Sequence, residues 1–136
     1  MFLTDWMKNY RSTKYHNKKV MINDESFESK KEYRRWIELK ILEDAGVIRN
    51  LQRQVKYVLI PAQREPETIS QRGRKIPGKV IEREVVYISD FTYEQDGEIV
   101  VEDIKGYKAT NTGAYRIFSI KRKLMLERFG IRIREI

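Results

Sequence analysis

Asp96-Gly97 is the dipeptide that most narrows what this chain can fold into, because it lies between two runs of strand-forming residues. Val85-Val86-Tyr87-Ile88-Ser89-Asp90-Phe91-Thr92-Tyr93 precedes it and Ile99-Val100-Val101-Glu102-Asp103-Ile104-Lys105-Gly106 follows, so the segment predicts a β-hairpin. A two-residue type I′ turn pairs Gln95 with Glu98, and counting back along both strands sets Asp90 opposite Asp103. Alternation places Val101, Asp103 and Lys105 on one face. Two carboxylates facing each other at roughly 4.5–5.5 Å between Cβ atoms are destabilising unless something compensates, and a divalent cation would. Hard oxygen ligands on neighbouring strands, with a lysine one step further along the same face, suit Mg²⁺ or Mn²⁺ and phosphodiester chemistry. A three-residue loop with Gly97 in a bulge would instead pair Glu94 with Glu98, oppose Asp90 to Glu102 and turn Lys105 away. The first register is favoured because it unites both acids and the lysine. The plainer alternative is an edge hairpin whose polar residues are merely solvated.

The 136 residues fit one domain, 1–136, with no linker or repeat arguing for more. With 28 Lys+Arg against 20 Asp+Glu the formal net charge is +8 and the pI about 9.7, which favours a polyanionic partner, nucleic acid being the commonest. A solubilising surface charge is the plainer alternative. The chain has no cysteine, which excludes disulfides and thiolate metal sites, and its one histidine, His16, excludes a multi-histidine centre. The opening Met1-Phe2-Leu3-Thr4-Asp5-Trp6 lacks the apolar core of a signal peptide and no later run approaches a membrane span. A soluble intracellular protein is expected.

Residues 1–19 form a basic, aromatic arm in which Lys14, His16, Lys18 and Lys19 are candidate DNA contacts; a disordered terminus has the same look. Val20-Met21-Ile22 reads as a short strand closed by the turn Asn23-Asp24-Glu25. A helix is predicted from Ser29 to about Ala45, stopped by Gly46, with Tyr33, Trp36, Ile37 and Leu39 on its apolar side. Ser29-Lys30-Lys31-Glu32 reads as a capping box, yet Glu32 also borders the buried stripe at i, i+4, i+7 with Trp36 and Leu39, so capping and a place in the site are both open to it. Gln54 to Ile60 reads as a strand ended by Pro61. The polar, glycine- and proline-punctuated stretch that follows, about 63–83, suggests a long loop or projecting hairpin whose Arg72, Arg74 and Lys75 would clamp a duplex, unless it is simply a tolerated surface insertion. A second helix is predicted from Ala114 or Tyr115 to about Phe129, with Lys121 amid Ala114, Ile117, Phe118, Leu124 and Met125. That lysine either snorkels to water or faces the carboxylates. The alternation from Gly130 to Ile136 reads as a final strand.

The order helix, strand, acid-bearing hairpin, helix and strand resembles the core of the PD-(D/E)XK nuclease superfamily. Lys14-Tyr15-His16-Asn17-Lys18-Lys19, Phe27-Glu28-Ser29-Lys30-Lys31-Glu32, Ser89-Asp90-Phe91 and Val101-Glu102-Asp103-Ile104-Lys105-Gly106 are similar to an uncharacterised phage and prophage family assigned to that superfamily. The resemblance implies an α/β (α+β) restriction-endonuclease-like core, a central mixed β-sheet flanked by helices. It further implies Asp90 and Asp103 as metal-binding acids, Lys105 as signature lysine and Glu32 as the acid from the first helix. Ser89 stands where the motif's name has proline, and Glu102 beside Asp103 is left for a supporting role or a basic partner. A Mg²⁺-dependent deoxyribonuclease in a bacterial host's cytoplasm is the expected function, with Lys121 assisting Lys105 and branched DNA among the substrates; a homodimer is the form that paired incisions need. The alternative is a DNA-binding accessory protein that keeps the fold and does not cut.

Overall fold

The computed structural model describes residues 20–22, 25–105 and 112–136. The fold is mixed α+β: among the described residues two helices, α1 (Lys30–Asp44) and α2 (Gly113–Phe129), cover opposite faces of a four-stranded mixed sheet. That sheet has the order β12 (Arg134–Glu135), β11 (Glu98–Asp103), β10 (Phe91–Gln95), β3 (Arg49–Arg53), with β12 parallel to β11 and the other pairs antiparallel. Beside α1, β1 (Val20–Ile22) and β2 (Glu25–Phe27) form a small hairpin in which Ile22 pairs with Glu25.

The turn at Asp96-Gly97 has the two-residue register: Gln95 pairs with Glu98 and Phe91 with Glu102. Both turn residues have positive φ, 52° and 80°, the conformation a type I′ turn requires and that Asp-Gly tolerates best. Alternation along β11 then sorts its side chains into two cores. Val100 packs with Phe91, Tyr93, Leu39 and Ile48 under α1; Val101 packs with Phe118, Met125, Leu59, Tyr87 and Ile133 under α2.

Three elements depart from the sequence expectation. The run from Val85 to Tyr93 is two strands, β9 (Val85–Ile88) pairing with β4 (Lys56–Ile60) and β10 pairing with β3 and β11. Propensity sees one continuous run, whereas the ribbon bends where Gln54 takes a positive φ of 53°. Two hydrogen bonds stitch the bend, Gln54 N–H to the Asp90 carbonyl (3.3 Å) and Ser89 N–H to the Val55 carbonyl (2.9 Å). Beyond β4 and β9 the same antiparallel ribbon continues outward through β5 (Gln63–Arg64) with β8 (Val80–Glu82), and β6 (Thr68–Ile69) with β7 (Lys75–Ile76). The polar stretch is thus a projecting hairpin. β3 was not predicted at all, and the final strand shrinks to Arg134–Glu135.

α1 begins at the expected cap, with Ser29 Oγ accepting from the Glu32 N–H at 3.1 Å. α2 begins at Thr112, whose hydroxyl accepts from the Tyr115 N–H, and closes at Gly130. Among the described residues no helix is long and apolar enough to cross a membrane.

Candidate active site

Asp90 stands at the bend of the ribbon, the residue before β10, and its backbone N–H donates to the Glu102 carbonyl at 3.2 Å, although Glu102 is already the partner of Phe91. The paired register ends at Phe91–Glu102, and the added bond from Asp90 to that same Glu102 makes a bulge-like bend in place of the expected Asp90–Asp103 pair. Its Oδ2 accepts from the Ile104 N–H at 2.7 Å. Burial pushes the Asp90 carboxyl up to about 7; the Ile104 N–H and Lys105 oppose that shift, while Asp103 and Glu32 reinforce it. Desolvation alone raises a carboxyl, and like charges add to it. Three acids and one lysine therefore share one electrostatic neighbourhood.

Asp103 is held on both oxygens. Tyr87 donates its hydroxyl to Oδ2 at 2.8 Å, and the Lys105 ammonium lies 2.9 Å from Oδ1. Burial first, then Asp103, holds the Tyr87 hydroxyl well above its ordinary range, so it is a fixed donor. Lys105 is in turn seated on an aromatic floor, its ammonium 3.2 Å from the Phe118 ring centroid and 5.9 Å from that of Tyr115. The Lys31 ammonium donates to the carbonyls of Lys105 (2.7 Å) and Ile136 (2.8 Å), which fixes the end of β11 against the last residue of the chain.

Glu32 is buried, at 2% exposure. The capping reading is half right: Ser29 caps as expected, but Glu32 Oε2 accepts from the Glu28 N–H at 3.0 Å rather than from Ser29. Its other oxygen lies 3.7 Å from the Arg53 guanidinium. Burial raises the Glu32 carboxyl, with Glu28's backbone and Arg53 pulling the other way. Arg53 itself donates to the Ser26 carbonyl at 2.7 Å and stacks on Phe27 at 3.9 Å. Among the described residues no group of three or more carboxylates or imidazoles is close enough to hold a metal ion. Asp103 and Glu32 both reach Asp90 through the electrostatic field, and the three do not form such a group.

Glu102 and Asp103, adjacent in sequence, face opposite ways. Glu102 is fully buried on the α1 side, gripped by both arms of Arg35, with Nε at 2.9 Å from Oε2, and by the Tyr93 hydroxyl at 2.8 Å. Asp103 is therefore the one that faces Lys105.

Lys121 is not brought to the acids. It lines a shallow groove of about 320 Å³ with Ile88, Ala114, Ile117 and Phe118, and makes no ion pair among the described residues. Phe118, one turn earlier, is α2's contribution to the site, and sequence reasoning assigned it to the core alone. Arg53 and Lys31 were also missed; neither carries a local signal, because β3 and the β11–β12 closure that place them are tertiary. Arg72, Arg74 and Lys75 lie on the exposed outer hairpin, while Lys14, His16, Lys18 and Lys19 lie outside the described residues.

A family model matches residues 12–134. The chain belongs to the family described as "Protein of unknown function (DUF1064)". Within this DUF1064 chain, the matched span contains every acid and lysine of the candidate site. No curated protein and no solved structure matches it.

The side chains of Asp90 and Asp103 offer oxygen donors alone. Asp90 Oδ1 has no hydrogen-bond donor among the described residues, and burial pushes its carboxyl up to about 7. Carboxylate oxygens that already accept one hydrogen bond keep a second lone pair. Asp90 and Asp103 thus fit a hard divalent ion such as Mg²⁺ or Mn²⁺.

Proposed function

We propose that this protein is a Mg²⁺- or Mn²⁺-dependent deoxyribonuclease with a restriction-endonuclease-like core, of phage or prophage origin, acting in the cytoplasm of a bacterial host. The observation that carries the reading is the bend at which the Asp90 carboxylate accepts from the Ile104 N–H within the field of Asp103, with the Lys105 ammonium 2.9 Å from Asp103. A bound divalent ion would lower the pKa of water and neutralise charge on the phosphate. Asp90 and Asp103 would hold it, with Glu32 supplying further negative field from α1. Lys105, fixed between Asp103 and the Phe118 face, is placed to orient the attacking water or to stabilise developing negative charge. The positive net charge of +8 supports a polyanionic substrate.

The test is a cleavage assay on duplex, nicked, flap and four-way DNA with Mg²⁺ or Mn²⁺. Asp103→Ala and Lys105→Ala are each expected to lower the rate by about 10²–10³-fold, the scale of losing one charge-stabilising group. Undiminished cutting by either variant removes the residue assignment. Paired, symmetric incision of four-way junctions would call for a homodimer.

A second reading has its own observation. Asp103 is already neutralised by Lys105, and no three-ligand metal group forms among the described residues. A DNA-binding accessory protein that retains the fold without cutting fits those facts. Salt-sensitive DNA binding with no metal-dependent cleavage on any substrate would select it.

A further inference from the structure

The ribbon that carries Asp90 runs outward into an arm. From Gln63 to Glu84 every residue except Ser70 and Gly78 is exposed, so the arm stands clear of the cores formed by the described residues. Its tip is nevertheless ordered: the Ser70 N–H donates to the Arg74 carbonyl at 2.8 Å, Gly73 N–H to the Ser70 carbonyl at 2.9 Å, and Arg74 N–H to Ser70 Oγ at 3.1 Å. Residues 70–79 hold Arg72, Arg74, Lys75 and Lys79 and no acid. The nearest carboxylate to Lys75 is Glu67, at 4.0 Å and exposed, a pair of little strength in water.

The two faces of this arm are alike. Cross-strand partners share a face, so Ile69 and Lys75 lie on one, while Thr68 and Ile76 lie on the other. Alternation puts Arg74 on the face of Ile76. Each face thus offers one cation and one isoleucine, with Ile69 at 73% and Ile76 at 46% exposure. A ribbon that docks flat on a partner differentiates its faces, one apolar and one polar. A ribbon that enters a groove has a wall on each side.

Dimensions choose the groove. A two-stranded ribbon with side chains on both faces is roughly 10 Å thick, the spacing of packed sheets. The major groove of B-form DNA is about 12 Å wide and admits a β-ribbon, whereas the minor groove is about 6 Å. The major groove of A-form RNA is deep and too narrow for side chains to read. We infer that the arm of residues 63–82 inserts into the major groove of B-form duplex DNA, each face turning its tip cation and its isoleucine, Ile69 or Ile76, to one wall of the groove. This rests on the DNA-binding reading above. It deepens it by selecting duplex DNA over RNA and by placing the bend at Asp90 at the base of the bound arm.

The experiment measures binding of the full-length protein to one 30-base-pair sequence (~30 is chosen to span the arm's roughly 25 Å reach), with Ca²⁺ in place of Mg²⁺. Four forms are compared: unmodified duplex, duplex with bulky glucosyl groups in the major groove, duplex saturated with the minor-groove ligand netropsin, and duplex RNA. Affinity is expected to fall by about tenfold or more on the glucosylated duplex and on RNA, and to be unchanged by netropsin. The variant Arg72→Ser/Arg74→Ser/Lys75→Ser is expected to reduce the log–log salt slope by about three and to bind the glucosylated and plain duplexes alike. Ile69→Ser/Ile76→Ser should weaken binding to the plain duplex with the salt slope preserved. Equal affinity of the wild type for plain and glucosylated DNA, displacement by netropsin, or an unaffected triple variant overturns the inference while leaving DNA binding intact. Failure of the wild type to bind any duplex overturns the DNA reading itself.

Discussion

Glu102 and Asp103 show how one step along a strand separates a charge answered inside the core from one answered at the candidate site. Glu102, inside the α1 face, is answered by Arg35 and Tyr93; Asp103, on the α2 face, is answered by Lys105 and Tyr87. Asp90 is the acid without a cation of its own, and its carboxyl pushed up to about 7 has a consequence for stability. A folded-state value above the unfolded one means the folded protein holds that proton more tightly, so the contribution is full below about pH 4 and is lost as pH rises through about 7. Urea unfolding of wild type should therefore weaken between pH 5 and 8. Asp90→Asn should flatten that dependence and exceed wild type at pH 8 by on the order of a few kcal/mol; parallel profiles for the two proteins would refute the assignment. Phe118 is the other residue whose role lies in contact with a charge. Its ring face 3.2 Å from Lys105 is a cation–π contact worth about 0.5–2 kcal/mol. Phe118→Leu should slow cleavage by about tenfold with KM little changed, Phe118→Trp should restore it, and neither should matter once Lys105 is Met. Equal slowing by Leu and Trp would reduce Phe118 to a packing residue.

At the scale of elements, the Arg35–Glu102 pair is the polar tie between α1 and β11, and it fixes the helix turn that also carries Glu32. Removing one member strands the other in the core, which costs about 3–5 kcal/mol, whereas replacing both by apolar residues costs far less. Glu102→Leu and Arg35→Met should each lower unfolding stability on that scale, and the double variant should recover much of it; additive losses would show the pair to be uncoupled. What could be read from the sequence follows the same division between local and tertiary causes. The Asp-Gly turn, its register as far as Phe91–Glu102, the Ser29 cap and the span of both helices are written in nearest neighbours, whereas the expected pairing of Asp90 with Asp103 gives way to the bend at which Asp90 bonds to Glu102. β3 was not, because Arg49-Asn50-Leu51-Gln52-Arg53 has neither β-branched nor aromatic residues and is a strand only through pairing with β10. Arg53 was hidden with it. The break between β9 and β10 was hidden for the converse reason: every residue there suits a strand, and the bend is imposed by the partner strand at Gln54. Lys121 sat on the apolar stripe by the helical wheel, yet one turn separates it from Phe118, which is the residue that meets the lysine of β11.

Across the whole molecule, one antiparallel ribbon joins the central sheet, the bend at Asp90 and the basic arm, so substrate grip and chemistry would share a single element. The net charge of +8 should repel a free divalent cation, and any binding of Mn²⁺ must therefore come from local acids that outweigh the global field. Protons compete for those acids: with the Asp90 carboxyl at about 7, the site is mostly protonated on one member at pH 6 and mostly ionised at pH 8. A ligand at about 100 times its dissociation constant stabilises by about 2.7 kcal/mol, which for a domain of this size is several degrees of melting temperature. Thermal melts of wild type with Mn²⁺ should then show a clear upward shift at pH 8 and a small one at pH 6. Asp90→Asn/Asp103→Asn should abolish the shift at both, and chelation should reverse it in the wild type. A shift that is the same at both pH values, or that survives loss of both acids, would place the ion elsewhere. Absence of any shift in the wild type would remove the metal from the corner of the ribbon and leave Lys105 and Asp103 as a closed ion pair, which is the arrangement of a binding protein and not of a nuclease.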